Sequence, residues 1–163
     1  MEVWAPLESY PGYSASNLGR IRNDKREHVL AIVRTQSEHT YVSLTRNGRQ
    51  VTRAVSKLVA EAFVPNPRPN VFTTPIHLDG DLRNCYAENL LWRPRWFAIK
   101  FTRQFRLDLP HDRRPIQEIK TREIFESPWP PVMTWGLLYN DIVIATANHT
   151  WVFPTMQTFE WVI

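Results

Sequence analysis

Before the first proline cluster, short apolar runs alternate with turn signals along the chain. Tyr41-Val42-Ser43-Leu44-Thr45 and Gln50-Val51-Thr52-Arg53 flank Asn47-Gly48, which supplies the positive φ values of a tight turn, so the pattern predicts a β-hairpin. From Ala54 to Phe63 the period changes, and Val55, Leu58, Val59, Ala62 and Phe63 share one helical face. Between Phe97 and Arg106, Phe97, Phe101 and Phe105 recur four apart with Lys100, Arg103 and Arg106 beside them, the pattern of an amphipathic basic helix. Ile116 to Phe125 reads as a strand pair around the turn Lys120-Thr121-Arg122-Glu123. Three proline-rich breaks, at 65–70, 109–115 and 127–131, divide the chain, since proline fixes φ and removes a donor.

With 163 residues and 43% hydrophobic content, the chain can bury a real core in one or two small domains. Its net charge of +4 hints at a polyanionic partner, and the distribution says more. Residues 1–64 carry nine Lys and Arg against six acids, and residues 93–122 carry nine against three. Residues 123–163 hold four acids and no Lys or Arg, so the positive field lies in the first two thirds. Cys85 stands alone, which excludes an internal disulfide and a cysteine-built zinc site and suits a reducing cytosol. The acidic start Met1-Glu2-Val3-Trp4 has no signal character, and no apolar run approaches the ~20 residues of a membrane span. The expected location is the cytoplasm, with no membrane partner.

The chemistry concentrates around His77. His77-Leu78-Asp79-Gly80-Asp81 is a histidine entering a polar turn, and the loop returns at Asn89 and Trp92 ahead of the basic helix. Phosphodiester hydrolysis needs a base for water, a divalent cation for the developing charge, and a group that fixes the base's ring. A His and an Asn at this spacing suit that task, and they equally suit a structural turn.

The whole stretch, Ile76-His77-Leu78-Asp79-Gly80-Asp81 through Asn84, Glu88-Asn89-Leu90 and Trp92, resembles the HNH homing-endonuclease family of phages and introns. The resemblance implies a ββα-metal fold in which His77 is the general base and Asn89 orients it and tightens the loop. Asp79 and Gly80 would shape the turn, and Trp92 would pack the returning strand. The same family places metal ligands before the histidine and nine residues after the middle asparagine. Here those positions hold Ile76 and Ala98, and neither side chain coordinates a hard cation. No metal site and no cofactor are therefore expected; Mg²⁺ would be the cofactor of an active enzyme.

Two further segments resemble modules of these endonucleases. Trp4, Gly12-Tyr13 and Ser16-Asn17-Leu18-Gly19-Arg20-Ile21-Arg22 carry the hallmarks of their opening NUMOD-type module, and Leu58 to Pro67 resembles its closing helix. The module is a small sheet that lies on DNA, with Arg20 and Arg22 on alternate positions of one strand. Trp4, Tyr10, Tyr13 and Leu18 are expected in its core. Pro115 to Ser127 resembles, more faintly, the opening strands of the module that ends these proteins. A helix-turn-helix follows there in the family; here the region holds Pro128, Pro130 and Pro131 and lacks cations. Trp129, Trp135, Trp151, Phe153, Phe159 and Trp161 are either core or an aromatic surface for a protein.

The resulting expectation is an α+β fold in three parts: a DNA-contacting sheet and helix at 1–67, an HNH-like ββα unit at 68–109, and a small α+β module at 110–163. DNA contacts are assigned to Arg20, Arg22, Lys100, Arg103 and Arg106, and the family-implied catalytic pair is His77 and Asn89. The function expected is double-stranded DNA binding by a phage or mobile-element protein that kept the nuclease scaffold and lost its chemistry. It would regulate or inhibit a host or phage protein through the C-terminal aromatic segment. The alternatives are a working Mg²⁺-dependent HNH nuclease or nickase, and a protein-binding inhibitor that no longer touches DNA.

Overall fold

A computed structural model describes residues 1–108 and 111–163. The expected boundary between 109 and 110 therefore lies outside the described residues. The described chain forms two compact units, Met1–Ala98 and Ile99–Ile163. It is α+β throughout, and no helix among the described residues is long and apolar enough to cross a membrane.

In the first unit, β1 (Trp4–Pro6), β2 (Tyr13–Ser16), β3 (Ile21–Asn23) and β4 (His28–Val29) form an antiparallel sheet in chain order. A second sheet joins β5 (Val33–Arg34), β6 (Thr40–Arg46) and β7 (Arg49–Ala54). The expected hairpin is present, with Asn47 at φ 52° and Gly48 at φ 73° making its turn. Val42 and Leu44 point into the core and Ser43 and Thr45 point out, as strand alternation requires. Helix α1 (Val55–Phe63) buries Val55, Leu58 and Val59 fully, each worth about 1.5–3 kcal/mol of transfer free energy.

Strands β8 (Thr74–His77) and β9 (Leu90–Arg93) then pair with Ile76 opposite Leu91 and His77 opposite Leu90. Trp92 donates from its indole to the Val64 carbonyl at 3.0 Å, which anchors β9 to the end of α1. Helix α2 (Arg95–Gln104) follows directly and completes a ββα order. It ends before Arg106, which the sequence pattern had placed within it. Gln104 is buried and closes the helix by bonding the Leu137 carbonyl at 3.2 Å and the Tyr139 amide at 2.9 Å.

In the second unit, β10 (Ile116–Glu118) and β11 (Ile124–Phe125) form the expected strand pair, with Arg122 at φ 64° in the turn. Strands β12 (Trp151–Val152) and β13 (Gln157–Trp161) complete an antiparallel sheet of order β11-β10-β13-β12. Between them lie α3 (Trp129–Trp135) and α4 (Tyr139–Asn148), joined by Gly136-Leu137-Leu138. The prolines do not interrupt this pair, contrary to what their number suggested. Pro130 and Pro131 sit in the first turn of α3, where backbone N–H groups lack intrahelical acceptors anyway. Gly136 at φ 62° ends α3 in the left-handed region. Of the C-terminal aromatics, Phe159 is core, Trp151 is exposed, and Trp129, Trp135, Phe153 and Trp161 are half-buried.

Candidate nucleic-acid interface

The loop from His77 to Asn89 is held by its own side chains. Asn89, itself buried, accepts from the Asp79 amide at 3.1 Å and donates to the Asp79 carboxylate and the Asn84 carbonyl, both at 2.9 Å. Asn84 reaches the other Asp79 oxygen at 2.7 Å, and Gly80, at φ 76°, donates back to the His77 carbonyl at 2.9 Å. Asp81 pairs with Arg83 at 3.1 Å. Both acids of the turn are thus engaged within the loop.

His77 is only 4% exposed, and its Nε2 lies 3.7 Å from Cys85 Sγ. Cys85 Sγ in turn lies 3.3 Å from Thr40 Oγ1. Burial, with a smaller push from His39, lowers the imidazole to about 4, against opposing pulls from Asp79 and Asp81. Burial also raises the Cys85 thiol. Ring and thiol therefore meet as neutral partners at pH 7. A neutral imidazole has the protonation state of a general base, but the closed setting keeps bulk water from its ring nitrogens.

The turn between β2 and β3 docks onto this loop. Ala87 donates to the Asn17 carbonyl at 2.8 Å, and a Cβ on Gly19 would stand 3.2 Å from the Cys85 Cβ and carbonyl oxygen. Gly19 also sits at φ 81°. Gly19→Ala is expected to lower stability by about 2 kcal/mol, combining left-handed strain with backbone crowding, as read by urea unfolding.

On the outer face of the first sheet, Arg20 flanks β3 and Arg22 lies within it. Their guanidinium carbons stand 5.6 and 4.6 Å from the centre of the Trp4 ring, so both share one face as strand alternation implied. Trp4, half-buried, is therefore a platform for cations and not a core residue, and Leu18 is exposed; Tyr10 and Tyr13 are buried as expected. Arg20 is bonded through Nε and Nη2 to both carboxylate oxygens of Glu2, and Arg22 reaches Asp24 at 3.2 Å.

A second exposed face had no charge signal in the sequence. Ser43 opposite Thr52 and Thr45 opposite Gln50 cover the outer side of the β6–β7 ribbon. Tyr41 and Val33 extend that side onto β5, and Arg46 and Arg49 lie at the tip. Only pairing register could have revealed it.

Residues 2–45 match the NUMOD4 motif. Two HNH endonucleases of Acanthamoeba polyphaga mimivirus are 33% and 28% identical to this chain over 89 and 96 residues, covering 55% and 56% of it. The chain thus carries a NUMOD4 motif at residues 2–45 and is similar, over about half of its length, to these HNH endonucleases. It spans about a quarter of the length of those relatives, 26% of one and 23% of the other. In fold it is similar to the HNH homing endonuclease I-HmuI, with a TM-score of 0.56 at 20% identity, over 99% of this chain and 98% of that one.

Ile76, before the histidine in β8, is 1% exposed, and Ala98, in α2 nine residues after Asn89, is 7% exposed. Neither brings a donor atom, so these residues do not fit a hard divalent cation. Among the described residues no three of His, Cys, Asp and Glu are grouped to hold a metal. Arg93 is buried at the end of β9, where burial lowers it to about 10 and its Nη1 bonds the Trp92 carbonyl at 2.9 Å. Lys100 and Arg103 lie on the exposed face of α2, opposite the buried Phe101, and Arg106 is exposed just beyond the helix.

Proposed function

We propose that this protein binds double-stranded DNA on an HNH scaffold whose hydrolytic chemistry has been lost. The observation that carries the reading is His77, buried against Cys85 with Ile76 beside it in β8 and without a donor set for a cation. Support for DNA as the ligand comes from the NUMOD4 and HNH relationships and from I-HmuI, whose structure is described as one of DNA binding and cleavage. Phosphate contacts are assigned to Arg20, Arg22, Lys100, Arg103 and Arg106. Base edges in the major groove are assigned to Tyr41, Ser43, Thr45, Gln50 and Thr52, because an exposed two-stranded ribbon with neutral donors and acceptors matches that groove.

The test is incubation with supercoiled plasmid across Mg²⁺ and Mn²⁺, read for nicking and for gel shift together. The expected result is a shift without nicking; Mg²⁺-dependent nicking that His77→Ala abolishes would restore an active nuclease. Five phosphate contacts give a slope of log affinity on log salt of about −4.5, so raising salt from 50 to 200 mM weakens binding by about 500-fold. Replacing Arg103 by Gln should flatten that slope by about 0.9, while Thr45→Ala and Gln50→Ala should relax base preference with the slope kept.

One observation favours a protein contact by the second unit. Ile119, Ile124 and Trp151 are exposed, and strand register puts Ile124 and Trp151 on the side of the sheet that α4 does not cover, with Gln117, Thr158 and Glu160. An antiparallel sheet covered on one side ordinarily turns polar residues outward. A regulator or inhibitor would use this face. If no variant shifts DNA at low salt, protein binding alone becomes the function.

A further inference from the structure

We propose that Glu2 is a built-in competitor for the phosphate site formed by Arg20 and Arg22 on Trp4, so that DNA engages this site by displacing a carboxylate. The inference rests on the DNA-binding reading and adds a device that limits it.

Three observations converge. The two oxygens of Glu2 take the Nε and Nη2 donors of Arg20, with Nε to Oε1 at 2.8 Å. That is the same planar fork a phosphodiester uses for bidentate binding, so the two ligands are mutually exclusive. Glu2 is also held in place by the backbone: Asn17 donates to the Val3 carbonyl at 3.0 Å, and Val3 donates to the Asn17 side chain at 2.7 Å. The Arg20 hydrogen bond, and after it one from Ser16, keeps the Glu2 carboxyl below its ordinary range, so it stays charged near neutrality.

Trp4 holds both guanidiniums independently of the acids, at 5.6 and 4.6 Å from its ring centre. When Glu2 leaves, Arg20 keeps its platform and offers an open fork. Asp24 plays a weaker part at Arg22, through one bond at 3.2 Å, and is itself bonded by Ser14 Oγ at 2.9 Å. With two cations matched by two carboxylates, the resting site contributes no net attraction at long range. The Arg20 side chain is 49% exposed and that of Glu2 20%, so a backbone phosphate can reach the pair.

The full chain is titrated with a random-sequence duplex over a salt series, comparing wild type, Glu2→Gln, Arg20→Gln, the double variant, and Glu8→Gln as a charge-matched control on an exposed acid. Glu2→Gln should tighten binding by about 3- to 10-fold, because Arg20 then meets a phosphate without first giving up a carboxylate. Glu8→Gln should change affinity by less than about twofold, and Glu2→Gln should gain no more than that once Arg20 is Gln. Wild-type binding that Glu2→Gln leaves equal to Glu8→Gln, or weakens, overturns the proposal, and the second result makes Glu2 a positioning residue for Arg20. No shift for any variant at low salt removes the DNA-binding reading and this inference with it. Thermal unfolding of Glu2→Gln within about 2 °C of wild type confirms that the fold is unchanged.

Discussion

Acidification from pH 7 to pH 4 is expected to remove about 3 kcal/mol of stability through His77 alone. The imidazole is lowered from 6.5 to about 4 in the folded chain, because burial beside Cys85 disfavours its charged form. Above pH 6.5 neither state binds the proton and the full stability is present. As pH falls through 6.5 the unfolded chain takes up a proton that the folded chain refuses, and stability drops until the folded ring titrates near 4. His77→Gln removes this contribution, so its urea midpoint should fall less steeply over the same window. Glu2, Asp81, Asp112 and Glu118, all lowered, lose stability at still lower pH, while the raised Glu61 and Asp141 act in the opposite sense. The difference between wild type and variant isolates the histidine. Equal slopes for the two proteins would show that His77 is open to solvent, and with it would go the argument against its role as a base.

Asn89→Ala should destabilise the first unit by about 3 kcal/mol. It strands the Asp79 amide and the Asn84 carbonyl and deletes a bond to the Asp79 carboxylate, where a buried polar group left unpaired costs about 1–3 kcal/mol. Asn89→Asp is the sharper variant. It keeps the shape and the acceptor for the Asp79 amide, but sets a second carboxylate 2.9 Å from the first where a donor stood. At pH 7 it should be at least as damaging as Ala, with partial recovery on acidification as one carboxyl takes a proton. A neutral result for both would mean that the loop is held from elsewhere, and hydrogen exchange at the Asp79 amide would show it directly.

The two variants also separate the roles that sequence pairs together. In the resemblance Asn89 orients His77 and tightens the loop; in the structure its side-chain bonds, to Asp79 and Asn84, are those of the loop. The ring of His77 has Cys85 Sγ 3.7 Å from its Nε2.

Much of the architecture was legible in local pattern, because the forces that set it are local. Asn47-Gly48 dictates a tight turn through φ, the spacing of Val55, Leu58 and Val59 dictates a buried helical face, and the His77 to Trp92 stretch marks the ββα hairpin. The resemblance to HNH endonucleases could be read from those residues with nothing else. Two readings failed. Trp4 looked like core and is a platform for Arg20 and Arg22. The prolines near 130 looked like helix breakers, yet they begin a helix, since position within the first turn decides their cost.

The sequence by itself determined the strand and helix periods, the loop chemistry of Asp79, Gly80 and Asn89, and the lack of donor atoms in Ile76 and Ala98, because each is a property of a residue and its neighbours along the chain. Only the tertiary structure decided that His77 is closed off and neutral, that Glu2 sits in the fork of Arg20, and that Ser43, Thr45, Gln50 and Thr52 share an open face. Those are matters of burial, pairing register and approach between segments far apart in the chain, and burial sets a pKa only once the chain has folded around the group.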